Sequence, residues 1–301
     1  MTTAIREFAE KDLPTLVKLL NESYRQDYEF YPYNEERLLS WIQGHKLRIL
    51  MAEESGKITA SAAYHDGSWG EEIEWLAVPE SPSRKTLENR LVAELGKFVK
   101  SGKIFRAIDA ESPRIDEWIE RGYKPEGGLY HMTAVLNLLR PLPTIPEGVN
   151  LRSLRPNEEK EFVEAVNSGF ERERAKMGDI QLWKMESPPF DEEWIHVAAV
   201  KGKIVSVVVA KPDTNYNQFF KSNRGYLGPA ATLPENRGKN LASALTVRSM
   251  NFLLQKGMDS VALYTSESNT ASITLLLRIG FVTKHHWKFL RKTLPQQNLD
   301  K

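Results

Sequence analysis

Hydrophobic and polar positions along the chain follow one pattern twice. In each half, apolar alternation with a period of two predicts a pair of strands around a Gly-Lys turn, at Gly56 and again at Gly202. Runs with a period near 3.6 residues predict helices before this pair and between the later strands. Both halves therefore read strand, helix, two strands around the turn, strand, helix, strand, helix and final strand.

The distance between matching positions is constant over several landmarks. Asn21 and Asn167 are 167 − 21 = 146 residues apart, and Gly56 and Gly202 are 202 − 56 = 146 apart. The segment "IREF" near the start recurs as "LRSL" at the same distance. A constant offset predicts a tandem duplication. The alternative is two unrelated domains of similar composition.

A proline-rich segment divides the two halves. Residues 140–148, "RPLPTIPEG", hold three prolines and one glycine and predict an extended linker. We therefore predict domains at 1–139 and 149–301. Pro79 and Pro234 differ by 234 − 79 = 155, so the second half carries 155 − 146 = 9 extra residues. We expect them in a polar, aromatic-rich hairpin loop at 211–226.

Helix signals in the second half are clear enough to give bounds. We predict a helix over about 158–170 and another over about 238–255, which Gly257 ends. The run "ASITLLLRI" predicts a short helix that stops at Gly280.

Composition and charge narrow the function classes. The 301 residues are 41% hydrophobic, which is enough for folded cores and excludes global disorder. A net charge of +1 argues against nucleic acid or an anionic membrane as the main partner. No apolar run reaches the about 18 residues that span a bilayer. The charged N-terminus has no signal-peptide core, so we expect a cytoplasmic protein.

Cysteine and histidine usage bears on metal and thiol chemistry. The chain has no cysteine, which excludes disulfides, thiolate catalysis and cysteine metal sites. Among the six histidines, only His285 and His286 are close in sequence, and no carboxylate lies at ligand spacing from them. We therefore expect no metal site.

The segment "ATLPENRGKNLASAL", residues 231–245, has the order expected of a phosphate-binding loop. Arg237 supplies charge, Gly238 allows close backbone approach, and the helix that follows adds the positive end of its dipole. Asn240 stands where a second glycine is expected, but asparagine tolerates positive φ at a cost of about 1 kcal/mol or less. The alternative is a simple helix start with a surface arginine.

Two segments carry a family resemblance. "TLPENRGKNLASAL" resembles the pyrophosphate-binding segment of the GCN5-related N-acetyltransferases (GNAT), which reads Arg or Gln, two residues, Gly, one residue, then Gly or Ala. "SVALYTSESNTASITLLLRIGF" resembles the family's next block of strand, Asn, short helix and Gly-Phe. Together with the duplication, the chain is similar in layout to tandem members of the mycothiol-synthase type.

The resemblance implies a fold and a donor. The fold class is α/β (α+β), a tandem duplication in which each mixed, mostly antiparallel sheet is flanked by helices and opens between its fourth and fifth strands. The donor is acetyl-CoA. Backbone groups of Thr232 and Leu233 are expected to bind the pantetheine arm, with Asn269 beside it or acting only as a helix N-cap. The pyrophosphate is assigned to Arg237, Gly238, Lys239, Asn240, Leu241 and Ala242.

The catalytic residues are less clear. Many family members have a Tyr seven residues after the Asn, where this chain has Leu276. Such a general acid is typically worth about 10²–10⁴-fold. Tyr226, Tyr264 and Glu267 are the candidate substitutes, and a structural or surface role is the alternative for each.

The first half has a different loop at the matching place. "AVPESPSRKTLENRL" contains no glycine, and Pro82 removes a backbone donor. Ser81 is expected to be an N-cap with Pro82 in the first turn. We interpret this half as a degenerate copy, in which Glu72 and Glu74 are not catalytic.

The leading hypothesis is an acetyl-CoA-dependent N-acetyltransferase that acts through its C-terminal half on a small-molecule or peptide amine. The alternative is a non-catalytic acyl-CoA-binding or interaction protein. The sequence predicts neither a nucleic-acid nor a membrane partner, and it leaves the acceptor and the oligomeric state open.

Overall fold

A computed structural model describes residues 3–67 and 70–295 and divides the chain into two compact units. The first unit runs to Gly128 and also takes in the chain from His286 onwards. The second unit comprises Leu129–His285. Among the described residues, no helix is both long enough and apolar enough to cross a membrane.

The first unit is a sheet with helices on both faces. Its elements in chain order are β1 Ala4–Glu7, α1 Leu13–Tyr24, α2 Glu35–His45, β2 Arg48–Glu54, β3 Lys57–Gly67, β4 Gly70–Ala77, α3 Arg84–Leu95, β5 Lys103–Asp109, α4 Ile115–Glu120 and the start of β6 Lys124–Val135, with 3-10 turns at Glu10–Asp12 and Gly96–Phe98. Successive residues of β2 pack into two different cores: Met51 packs with α1 and α2, whereas Leu50 packs with α3.

The second unit repeats this plan. Its elements are the end of β6, then β7 Val149–Ser153, α5 Glu159–Phe170, α6 Asp179–Glu186, β8 Ile195–Val200, β9 Lys203–Pro212, α7 Thr214–Phe220, β10 Arg224–Thr232, α8 Leu241–Gln255, β11 Ser260–Ser266, α9 Thr270–Arg278 and the start of β12 Val282–Thr293, with 3-10 turns at Glu192–Trp194 and Pro234–Asn236. Strands β10, β9, β8 and β7 lie side by side in that order. Phe162 of α5 and Leu245 of α8 pack in one core with this sheet.

The final strands of the two halves are exchanged. Residues 129–135 of β6 pair antiparallel with β11 in the second unit. Residues 287–293 of β12 pair antiparallel with β5 in the first unit. The sequence identified both strands, but it assigned each one to its own half. The predicted domain boundary at 140–148 stays a prediction. It follows the duplication in the sequence, whereas the two compact units are divided according to the exchanged strands.

The matching positions have the same structural tasks in both halves. Asn21 forms a pair of hydrogen bonds, 2.9 and 2.8 Å, with the backbone of Tyr33. Asn167 forms the same pair, 2.9 and 2.8 Å, with Ala175. Both asparagines therefore tie the segment after the first helix of their half to that helix. The duplication is thus visible in side-chain geometry.

An ion pair repeats with the same offset. Arg6 bonds Asp12 at 2.6 Å, and Arg152 bonds Glu158 at 2.6 Å. Both positions differ by 146 residues, since 152 − 6 = 146 and 158 − 12 = 146. Each pair joins the first strand of its half to the start of the following helix.

Three predicted details were wrong. The helix expected from residue 238 begins at Leu241, so Gly238 lies in the loop before it. The extra residues between β9 and β10 form α7 rather than an open hairpin loop. In the first half, α3 begins at Arg84 after Ser83, and Ser81 accepts a turn hydrogen bond from the Arg84 N–H. The predicted helix ends at Gly257 and Gly280 are confirmed, with φ of 84° and 92°.

Candidate active site

Strands β10 and β11 separate along their length, as the family resemblance implied. They pair in parallel only over Arg224–Tyr226 with residues 260–262. Beyond that point β10 stays paired with β9 as far as Thr232, with a bulge between Leu227 and Ala230. Strand β11 stays paired with β6. A wedge therefore opens between residues 227–232 and 263–266, where the edge of β10 offers backbone groups to an extended ligand.

The loop after β10 leads into α8 with two residues of positive φ. Gly238 has φ 78°, and Asn240, immediately before the helix, has φ 59° and ψ 11°. The expected tolerance of Asn240 for this conformation is confirmed. Its side chain does not cap the helix, and first-turn N–H groups have no intrahelical acceptor. These donors, together with the helix dipole, make the loop suitable for an anion.

Arg237 makes contacts within the protein that its sequence motif did not indicate. Its Nη2 donates to the Gly169 carbonyl at 2.9 Å and to Glu171 Oε1 at 3.1 Å. The guanidinium is half exposed and shares its charge with Glu171. A Cβ at Gly169 would lie 3.1 Å from the Thr232 nitrogen, so glycine allows the end of α5 to approach β10. Arg237 therefore fastens the loop to α5, besides adding positive charge.

The remaining cofactor candidates are placed as follows. Both backbone groups of Leu233 are already used, because its N–H bonds Val205 and its carbonyl accepts from Asn236. The hydroxyl of Thr232 lies 2.7 Å from that of Ser206. Leu233 is thus the least suited of the expected pantetheine residues. Lys239 and Asn240 are exposed, and Lys239 Nζ donates to the Glu235 carbonyl at 3.0 Å. Leu241 is buried and Ala242 half-buried at the helix start.

Asn269 acts as a helix cap. Its side-chain oxygen accepts a 3.1 Å hydrogen bond from the Ser272 N–H at the start of α9. This confirms the cap interpretation, and the proposed contact with pantetheine stays a prediction. Seven residues further on, Leu276 is 3% exposed and belongs to the hydrophobic core. The position of the family's usual Tyr is therefore a packing position here.

The structure brings two of the three catalytic candidates together. The rings of Tyr226 and Tyr264 have centroids 6.1 Å apart beside the wedge. Tyr264 is 42% exposed and stacks on His131 at 4.7 Å. Burial raises the pKa of Tyr226 to about 12, so this hydroxyl stays protonated near neutral pH. Glu267 lies half-buried in the turn after β11.

Sequence reasoning missed Lys211. This residue lies on β9 directly opposite Tyr226. Its Nζ lies 5.6 Å from the ring centroid of Tyr226 and 5.6 Å from that of Trp183. Burial lowers the pKa of Lys211, although Glu186 and Asp213 oppose the shift. The available signal was a single cation at the end of the apolar run "VSVVVAK".

The wedge of the first unit is filled by an arginine. Strands β4 and β5 pair in parallel at Glu72 with Phe105. Beyond that pair, Arg106 Nη1 donates to the carbonyls of Ile73 at 2.9 Å and Glu74 at 2.5 Å. These carbonyls are therefore already bonded at the place that matches the open edge of β10.

The basic residues of the first-unit loop are neutralised by acids. Arg84 lies 2.8 Å from Glu88, 2.5 Å from Glu117 and 3.2 Å from Glu80. Its side chain is only 13% exposed. Lys85 forms an ion pair with Glu120. No net positive charge from Arg84 and Lys85 is left for an anion.

Comparison with known proteins agrees with this geometry. Residues 153–281 match the family model described as "Acetyltransferase (GNAT) family". The mycothiol acetyltransferase of Thermobispora bispora is 29% identical over 163 residues, which cover 51% of this chain and 53% of that relative. The chain spans about half the length of the curated relatives it matches.

Solved structures show the same fold over nearly the whole chain. A GCN5-related N-acetyltransferase from Sphaerobacter thermophilus has a TM-score of 0.72 at 21% identity and covers 99% of this chain and 98% of its own. A tandem GNAT protein from the clavulanic acid biosynthesis pathway has a TM-score of 0.68 at 13% identity, covering 98% and 100%. Residues 153–281 therefore carry the sequence pattern of the GCN5-related N-acetyltransferase (GNAT) family, and the whole chain has the fold of tandem GNAT proteins.

Proposed function

We propose that the second unit binds acetyl-CoA and transfers its acetyl group to an amine. The observation that carries this proposal is the open edge of β10 leading directly into the loop at Gly238 and Asn240. An extended arm fits the strand edge, and a pyrophosphate fits the N–H groups at the start of α8. The matched family and the names of the curated relatives support acetyl transfer.

The chemistry requires a neutral amine and a protonated leaving group. The amine nitrogen forms a bond to the acetyl carbon, the carbon–sulfur bond breaks, and the amine loses one proton. In this proposal Lys211 receives that proton, because burial lowers its pKa toward the range of a general base. Tyr264 returns a proton to the thiolate, and the Tyr226 ring, opposite Lys211, helps to hold the ammonium form.

The acceptor is proposed to be a small-molecule or peptide amine. The segment 171–190 contains α6, whose Trp183 ring lies 5.6 Å from Lys211 Nζ, and α7 begins at Thr214, shortly after Lys211 in the chain. Connections of this kind commonly determine specificity. The curated relatives are mycothiol acetyltransferases, so their acceptor belongs in the first test panel.

We further propose that the first unit does not bind acetyl-CoA. Arg106 already bonds the carbonyls of its wedge, and the cations Arg84 and Lys85 are paired with glutamates. The intact chain should therefore contain one acetyl-CoA site.

A turnover assay tests the proposed activity. Release of CoA thiol is followed with acetyl-CoA and a panel of small-molecule and peptide amines. Lys211→Met should lower kcat about 100-fold or more with acetyl-CoA affinity unchanged within threefold. Lys203→Met, at the exposed start of the same strand, is the matched control and should leave kcat unchanged. Equal kcat for wild type and Lys211→Met would refute the role of Lys211.

A second candidate function rests on Leu276. Because this position holds a core leucine instead of the family's usual Tyr, the chain could bind acyl-CoA without turning it over. Calorimetric binding of acetyl-CoA combined with no turnover on any acceptor would favour this non-catalytic function. Absence of binding would refute both functions.

A further inference from the structure

Three ionisable side chains meet on one face of the first unit's β3–β4 hairpin. His65 on β3 lies opposite Glu72 on β4, and Glu74 follows two residues along the same strand. His65 Nε2 is 2.9 Å from Glu74 Oε2 and 3.8 Å from Glu72 Oε2. One potential ligand atom from each residue lies within 4.8 Å of the other two.

The imidazole nitrogen at the centre is buried without a hydrogen bond. His65 is 8% exposed, and its Nε2 has no hydrogen-bond partner among residues 3–67 and 70–295. The 2.9 Å separation from Glu74 is a hydrogen-bond distance, so it is the angle of the contact that does not suit a hydrogen bond. Buried polar atoms normally have partners. An imidazole nitrogen that lies against two carboxylates in this way is an arrangement that a cation completes, whether a proton on the ring or a metal ion.

The hairpin also makes room for the imidazole in this position. A Cβ at Gly67 would lie 2.7 Å from His65 Cε1, closer than two carbon atoms can approach. Glycine two residues after the histidine therefore permits this ring position. The side chains of Glu72 and Glu74 are 18% and 21% exposed, which leaves a path from solvent to the cluster.

We propose that His65 Nε2 and one carboxylate oxygen each from Glu72 and Glu74 bind a divalent transition-metal ion, with water as the remaining ligand. For metal–ligand bonds of about 2.1 Å, neighbouring ligand atoms are separated by about 3.0–3.5 Å. The observed 2.9 and 3.8 Å lie on either side of that range. One imidazole with two carboxylates suits Zn²⁺ or Mn²⁺ better than Ca²⁺ or Mg²⁺, which prefer oxygen ligands alone.

This metal site belongs to the first unit and is independent of the proposed acetyl transfer. The ion would join β3 to β4 by its ligands, so its expected effect is to stabilise the first unit. A mutation that abolishes metal binding therefore leaves the test of acetyl transfer intact, and one that abolishes acetyl transfer leaves the test of metal binding intact.

Calorimetry on the full chain tests the site directly. The protein is treated with EDTA, dialysed, and titrated with ZnCl₂ or MnCl₂. We expect one ion per chain, a dissociation constant below 100 µM (on the order of that for weak three-ligand sites), and a higher Tm in the presence of the ion. His65→Gln should weaken binding about 30-fold or more, and Glu72→Gln and Glu74→Gln about tenfold each.

His45→Gln is the matched control. The His45 ring lies 6.0 Å from that of His65 but is outside the three-residue cluster, so its loss should change affinity less than twofold. Circular dichroism verifies that each variant is folded, and Glu72→Gln replaces His65→Gln if the latter unfolds. The proposal is overturned if the wild type binds neither Zn²⁺ nor Mn²⁺ with a dissociation constant below about 100 µM. It is equally overturned by binding that survives substitution of all three ligands in turn.

Discussion

Gly238→Asp should abolish binding of acetyl-CoA while leaving the fold intact. A Cβ at Gly238 would meet no other atom within 4 Å, and aspartate is among the residues that best tolerate the φ of 78° found there, so the fold should persist. The added carboxylate would instead face the pyrophosphate at the start of α8. At a separation of about 5 Å and an effective dielectric constant of about 20, each pair of like charges costs about 3 kcal/mol. This corresponds to a loss of affinity of about 100-fold or more.

Two further substitutions separate charge from backbone conformation. Gly238→Asn has nearly the same shape as Gly238→Asp and tolerates φ 78°, but it adds no charge, so affinity should fall less than about tenfold. Gly257→Asp, at the other end of α8, has φ 84° and equally open surroundings. It should leave acetyl-CoA affinity unchanged, because it lies far along the helix from the proposed pyrophosphate site.

Isothermal titration calorimetry with acetyl-CoA measures all four proteins, and Tm values show whether each is folded. The expected order of affinity is wild type and Gly257→Asp together, then Gly238→Asn, then Gly238→Asp. Unchanged affinity in folded Gly238→Asp would remove the anion site from this loop. Two sites in the wild type, one of which keeps full affinity in Gly238→Asp, would show that the first unit also binds acetyl-CoA.

The other predictions concern stability and the core. Burial lowers the pKa of His65, but contact with Glu72 and Glu74 raises it to about 9 overall. Because this folded-state pKa is above the unfolded value of about 6.5, the stabilisation by protonated His65 is complete below pH 6.5 and is lost as pH rises through 9. Urea unfolding in EDTA should therefore show that the free energy of unfolding falls more steeply above pH 7 for wild type than for His65→Gln. Burial, with Arg248, lowers the pKa of His196 to about 3. Its neutral form therefore stabilises the protein above pH 6.5, and this contribution falls by about 1.4 kcal/mol per pH unit on acidification. Urea unfolding should not show this loss in His196→Phe. Leu276→Met should keep kcat within threefold and cost less than about 1.5 kcal/mol of unfolding free energy, since the substitution conserves volume; a hundredfold fall in kcat would contradict the packing role.

The repeated fold was predictable because duplication leaves the same side chains at the same spacing. Asn21 and Asn167 form the same pairs of hydrogen bonds, and the positive φ of Asn240 followed from residue type alone. The exchange of β6 and β12 was not predictable in this way. Alternation identifies a strand but not its partner, and two similar halves offer similar edges.

The parts of the sites that sequence reasoning missed are made across strands. Lys211 meets Tyr226 because β9 and β10 are antiparallel neighbours, and His65 meets Glu72 because β3 and β4 are. Sequence search for metal ligands found only His285 beside His286, since ligand spacing along the chain does not reveal a cross-strand cluster. Arg237 was identified by its motif, but its hydrogen bond to Gly169 depends on where α5 ends.

The exchanged strands determine the order in which the chain can complete its two folds during synthesis. Strand β5 ends at Asp109, but its partner in β12 begins pairing at Trp287, which is 287 − 109 = 178 residues later. The second unit has its exchanged strand β6 before the rest of its sheet is made. The unit that the ribosome starts first is therefore the one that is completed last. Until β12 emerges, the edge of β5 is exposed while the second unit folds, and exposed strand edges of this kind are where nascent chains associate wrongly.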